Sequence, residues 1–136
     1  MKRLLFGVAL ATALSSIPVL AAPKTDASIV LNVPPTFNSP SSATAWPRLG
    51  DSITFTVIFP STLSKYPMGI QLSCYQGTSL VYVTAAAYDH AISLGGTSSP
   101  WALNGGSATC HADLIYWSPN GQKLNYIAST EFDVAG

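Results

Sequence analysis

Charge is scarce in this chain: six Lys and Arg stand against six Asp and Glu in 136 residues. Nucleic-acid binding requires a basic stripe that displaces counterions from phosphates, and so few scattered cations cannot form one. There are only two histidines, too few for a zinc or copper cluster of the kind some sandwich enzymes carry, so no metal and no cofactor are expected. No G-x-S-x-G elbow occurs to present a nucleophilic serine. Facing carboxylate pairs of the sort that cleave glycosides are equally wanting, with only Asp89 and Asp113 even loosely placed. The chain is therefore expected not to be an enzyme. Beyond the N-terminus no apolar run approaches the roughly 20 residues of a membrane-spanning helix, so no span is expected in the mature chain.

The N-terminus is the exception to the scarcity of apolar runs. Lys2-Arg3, the run from Leu4 to Leu14 and the small residues around Ala21 follow the plan of a signal peptide over residues 1–21. Cleavage after Ala21 avoids Pro23 as the first residue and leaves a chain beginning at Ala22, soluble and exported, extracellular or periplasmic. That mature chain carries Lys24, Arg48, Lys65 and Lys123 against Asp26, Asp51, Asp89, Asp113, Glu131 and Asp133, a small net negative charge. Its length predicts a single domain with a core of its own.

What the sequence does have is Ser, Thr, Gly, Pro and alternation. In 123–134, "KLNYIASTEFDV", Leu124, Tyr126, Ala128, Thr130, Phe132 and Val134 share one face, Ile127 being the exception. A period of two marks a half-buried strand. In "SATCHADLIYW" (107–117), Ala108, Cys110, Ala112, Leu114 and Tyr116 fall on one side and Thr109, His111, Asp113, Ile115 and Trp117 on the other. Asn120-Gly121 between these stretches predicts a tight hairpin, and Gly77-Thr78 a second. Further strands are expected at 28–33, 51–59, 69–76, 79–88 and 91–94, which makes about seven. No part of the mature chain holds a helical period. The prediction is an all-β, antiparallel β-sandwich, with an N-terminal strand and a Pro/Ser-rich connection over 22–50 and the sandwich core over 51–136.

"GDSITFTV" resembles strand B of an immunoglobulin-like domain, and "SATCHA" followed by a hairpin and a long last strand resembles its F and G strands. The overall pattern is similar to small secreted bacterial and phage-encoded immunoglobulin-like proteins. The chain departs from the antibody pattern at Phe55 and Val57, where the familiar disulfide would start, at Ala108, where a tyrosine would precede Cys110, and in having no Trp on strand C. The resemblance implies architecture rather than activity. It also makes the strands of Cys74 and Cys110 neighbours in one sheet, which implies a cross-strand disulfide, the usual fate of two cysteines in an exported protein. Both sulfurs are then expected to face the core.

Parity puts Cys110 and His111 on opposite faces, so the two are not expected to share a metal; His111 and Asp113 share the outer face, and the expected reading is an exposed polar strand. Aromatics are the better clue to function. Trp46 and Trp101 lie in loop-like segments and Trp117 beside the last hairpin, where Ile115 and Ile127 extend an apolar patch. A Trp in such a place stacks on a sugar or anchors a protein partner, or else folds back to cap the sandwich. The expectation is a non-catalytic binding or structural protein that meets a protein partner or its own copies at the cell surface or in an extracellular structure. A carbohydrate-binding module built on the loop tryptophans is the alternative. N-terminal sequencing of the exported protein is expected to read Ala22-Pro23-Lys24.

Overall fold

The computed structural model describes residues 26–34 and 46–136. The predicted signal peptide and most of the Pro/Ser-rich connection lie outside these residues. Eight strand segments run β1 (Ser28–Leu31), β2 (Ser52–Ile53), β3 (Phe55–Ile58), β4 (Met68–Gln76), β5 (Ser79–Ala87), β6 (Ile92–Ser93), β7 (Ala108–Trp117) and β8 (Leu124–Val134). Every predicted stretch contains strand, but the one expected at 51–59 is split at Thr54 into β2 and β3, which pair with different partners.

Four strands form one antiparallel sheet in the order β5-β4-β7-β8, while β1 pairs with β3 and β2 with β6. Alternation explains how the sheet closes over its core. On β4, Met68, Ile70, Leu72 and Cys74 are buried, and on β7 Ala108, Cys110, Ala112 and Leu114. The opposing layer brings Ile29, Ile53, Phe55, Ile92 and Leu94 into the same cluster. Phe55 and Phe132 meet across it with ring centroids 6.0 Å apart. Each large aliphatic side chain so enclosed contributes on the order of 1.5–3 kcal/mol through removal from water.

The hairpins form where expected. Gly77-Thr78 joins β4 to β5 as a two-residue loop, Gly77 taking a φ of 60°. In the second hairpin only Gly121 has a positive φ, 66°. Asn120 stays in the ordinary region, and the wider loop is closed by Ser118 N–H donating to the Lys123 carbonyl at 2.9 Å.

One segment departs from the all-β expectation. Pro100–Asn104 is a short helix, α1. Ser99 caps it, its Oγ accepting from Ala102 N–H at 3.0 Å, Pro100 occupies the first turn, and Gly105 ends it. That punctuation of Ser-Pro before and Gly after is a helix signal, outweighed in the sequence by the segment's shortness. The helix drives Trp101 into the core, 0% exposed, where its Nε1–H donates to the Gly106 carbonyl at 2.7 Å.

Cys74 and Cys110 are register partners in β4 and β7 and form a disulfide with Cα atoms 4.0 Å apart. The loop it closes spans a sequence separation of 36, for which the chain-entropy model gives about 4 kcal/mol of stabilisation. Replacing both with alanine, Cys74→Ala/Cys110→Ala, is expected to lower the unfolding free energy by about that amount, as read from the denaturant midpoint at unchanged slope.

Candidate functional site

The outer face of the four-stranded sheet carries a dense set of polar and aromatic side chains. Along β7 it presents Thr109, His111, Asp113, Ile115 and Trp117, and the register sets the first four between a β4 and a β8 residue. Three successive rows result: Tyr75, Thr109 and Asp133; then Ser73, His111 and Glu131; then Gln71, Asp113 and Ser129. Nearer the hairpin, Ile115 sits between Gly69 and Tyr126, and Trp117 pairs with Leu124.

One end of the face is polar. His111 Nε2 lies 3.2 Å from Glu131 Oε2, and its ring meets Tyr75 edge-on at 5.9 Å. Thr109 Oγ1 donates to Asp133 Oδ1 at 2.8 Å, and the Tyr126 hydroxyl donates to Gln71 Oε1 at 3.3 Å. Partial burial pushes the Asp113 carboxyl above its ordinary 3.8, against a smaller downward pull from His111. The sequence puts His111 on one face with Asp113; the register adds Glu131, whose carboxylate stands beside the imidazole.

The row of Ser73, His111 and Glu131 has the residue types of a nucleophile, base and orienting acid. Among the described residues, however, no hydrogen bond joins the Ser73 hydroxyl to His111. Ser73 and His111 also stand on β4 and β7, the two strands of the sheet that are paired on both sides. The arrangement is a cross-strand ladder of polar pairs, each worth a few tenths of a kcal/mol to about 1 kcal/mol.

The other end is apolar and shaped. Trp117 is 44% exposed and Tyr126 58%. A groove of about 370 Å³ runs between Trp117 and the exposed Ala85 and Ala87 of β5, floored by Gly69 and Ile115. Gly69 matters through what it lacks: a Cβ there would lie 3.0 Å from the Ala86 carbonyl oxygen and 3.8 Å from Ile115 Cγ1. On its far side Trp117 borders a second cleft of about 610 Å³, lined by Lys65, Tyr66, Pro67, Ser118, Pro119 and Gly121. Tyr66 is held there by stacking on Tyr116 at 5.3 Å, with Lys65 Nζ 5.2 Å from its ring centroid. Trp117 is thus a ridge between two depressions.

Of the five residues expected to form a binding surface, the structure places only Trp117 well exposed. Trp101 is in the core, and Trp46 is half-buried and packs against it; both do the capping work. Ile115 faces the outer side as parity requires but is only 6% exposed, enclosed at the groove floor. Ile127 packs against the core because an irregularity shifts the β7–β8 register between Leu114 and Ile115, pairing Leu114 with Ala128 but Ile115 with Tyr126. Tyr126 takes the outer position that the apolar patch was expected to give Ile127. The signal for it was in the sequence, since Ile127 is the residue that breaks the alternation.

Among the described residues no cluster of His, Cys, Asp or Glu is suited to hold a metal ion, and no helix is long and apolar enough to cross a membrane. Comparison with protein-family models, curated proteins and solved structures finds no match for the chain.

The shift at Asp113 carries a definite sign. With a folded pKa raised above the unfolded value, the folded chain holds this proton more tightly. Asp113 therefore contributes a cost that grows as pH rises from 3.8 through the folded value. Asp113→Asn is expected to be more stable than the parent at neutral pH, the difference in thermal midpoint closing as pH falls below the carboxylate range. A parent that is the more stable at neutral pH would contradict this.

Proposed function

We propose that the chain is a non-catalytic, secreted binding or structural protein that contacts a protein partner, or copies of itself, through the outer face of the four-stranded sheet. The observation that carries this reading is Trp117, a half-exposed indole standing as a ridge between two apolar-walled depressions. Indoles in such settings anchor protein contacts, because they bury a large rigid surface at little conformational cost. Tyr126 and the small residues Gly69, Ala85 and Ala87 add a flat apolar surround, and the polar rows farther along supply a rim. A disulfide is compatible with an exported protein.

An immunoglobulin-like architecture is part of the same proposal. The sheet order β5-β4-β7-β8 opposed by β1-β3 and β2-β6 supports it, with β2 and β3 taken as a single strand interrupted at Thr54. A carbohydrate-binding module is the second reading. The cleft where Trp117, Tyr66, Lys65 and Ser118 meet favours it, while the burial of Trp101 and the packing of Trp46 take away two of its three tryptophans.

The two readings separate by Trp117 fluorescence together with the distribution of the protein. Soluble oligosaccharides are expected to leave the emission unchanged. Trp117→Ala is expected to be exported at the parent's level but recovered in the medium, where the parent cofractionates with the cell surface or extracellular structure. A saturable emission shift with sugar would move the assignment to the carbohydrate module.

A further inference from the structure

β5 is an outer strand of the four-stranded sheet, paired with β4 on one side and, among the described residues, with nothing on the other. The direction of its backbone groups follows from the disulfide. Cα atoms 4.0 Å apart mark Cys74 and Cys110 as an antiparallel pair that exchanges no backbone hydrogen bonds. The N–H and C=O of Cys74 therefore turn toward β5, as by alternation do those of Leu72 and Ile70, to be met by Tyr82, Thr84 and Ala86. The groups of Val83, Ala85 and Ala87 consequently point out from the edge. Of these, the Ala87 carbonyl alone has an internal partner, the His90 N–H at 3.0 Å.

Sheets normally blunt such an edge with charge, proline, irregularity or shortness. The opposite edge, β8, follows that rule. It carries Glu131 and Asp133, breaks register near Ile127, and has its end closed by Pro47 and Leu49 hydrogen-bonding to Ala135. β5 does not. Its sequence, SLVYVTAAA, holds no charge, no proline and no glycine. Its one irregularity, where Cys74 pairs with Tyr82 but Tyr75 with Leu80, leaves Tyr82–Ala87 in unbroken register. Val83 on this stretch is 54% exposed, and Ala85 and Ala87 are exposed beside it.

We propose that β5 is a self-pairing edge: two copies join β5 to β5, antiparallel about a two-fold axis, into one continuous eight-stranded sheet. This deepens the assembly reading above and rests on it. The occupant is a second copy because of charge. A two-fold axis sets a strand against itself, so any charged residue near the axis would face its like; the neutral β5 carries no such penalty, whereas β8 would bring Glu131 and Asp133 against their own copies. The side chains near the axis are Val, Thr and Ala, small enough to lie side by side. The outward N–H and C=O groups of Val83 and Ala85 supply the new ladder. The ladder is short, so the dimer is expected to be transient and dependent on concentration.

The test is sedimentation of the exported, disulfide-bonded protein over a wide concentration range, paired with amide hydrogen exchange at the two extremes. The expected result is a monomer–dimer equilibrium in which the Val83 and Ala85 amides exchange at least tenfold more slowly at high concentration, while Tyr82 and Thr84 do not change. Val83→Lys places two ammonium groups near the axis at an exposed position and is expected to weaken dimerisation by at least tenfold with an unchanged thermal midpoint. Trp117→Ala, which stands across the groove from β5 and supplies no group to the new ladder, is expected to dimerise as the parent does. A monomer at every concentration overturns the edge and leaves the Trp117 face to be judged by its own test. A dimer dispersed by Trp117→Ala, with unprotected Val83 and Ala85 amides, overturns the edge while supporting the outer face as the contact. Growth beyond a dimer would indicate β5 pairing with β8 of the next copy and overturns the two-fold.

Discussion

The register between β4 and β7 is the constraint on which the rest depends. Once Cys74 stands opposite Cys110, every residue of both strands is assigned a face: Ile70, Leu72, Ala112 and Leu114 to the core, and Gln71, Ser73, His111 and Asp113 to the surface. A slip of one residue would exchange these sets, exposing the aliphatic residues and burying a carboxylate and an imidazole. The disulfide is more than a staple in this setting, since it forms only in the one register that also buries the apolar set. Its entropic effect on the unfolded chain and the burial it enforces in the folded chain favour the same pairing.

That register also decides what chemistry the outer face can do. In the middle of a four-stranded sheet the backbone is committed on both sides, and side chains stand in rows at fixed spacing. Such a surface offers charges and rings in defined order, as where His111 lies beside Glu131 in its own row and meets the Tyr75 ring of the next. The proposed recognition of a partner needs shape and surface, and a flat face with a ridge at one end offers both.

The parts of the fold legible in the sequence were those governed by local alternation. Strand positions, both hairpins and the inward direction of the two cysteines follow from a period of two and from Gly at the turns. Interruptions of that period were harder to place. Thr54 continues the alternation of Ile53 and Phe55, so nothing local announces that the strand changes partner there. Ile127 did break the pattern, but whether one discordant residue is tolerated on the surface or shifts the register depends on the strand opposite. The partner of His111 was hidden for the same reason: Asp113 is close in sequence, while Glu131 becomes close only after the hairpin and its irregularity are counted. Trp101 was misplaced because five residues are too few to show a helical period, although Ser99, Pro100 and Gly105 bracket the helix with its usual end residues.

The two edges of the sheet are treated so differently that the difference calls for a physical reason. β8 has charges, an irregularity and a covering segment, each of which lowers its tendency to pair. Natural strands that face only water gain solubility from such features at little cost. β5 carries no charge, and its irregularity ends at Tyr82, so the stretch beyond has outward backbone groups and an exposed valine beside small side chains. The groove beside Trp117 has Ala85 and Ala87 as its other wall, so the edge and the proposed binding face share residues. If two copies pair through β5, each groove gains a neighbour related by the two-fold, and a partner with two matching anchors would be held by both at once. A single shallow groove binds weakly, and linking two converts the second contact into an intramolecular one. On this view the bare edge and the small residues along it have one common explanation: they allow a weak face to act as a pair.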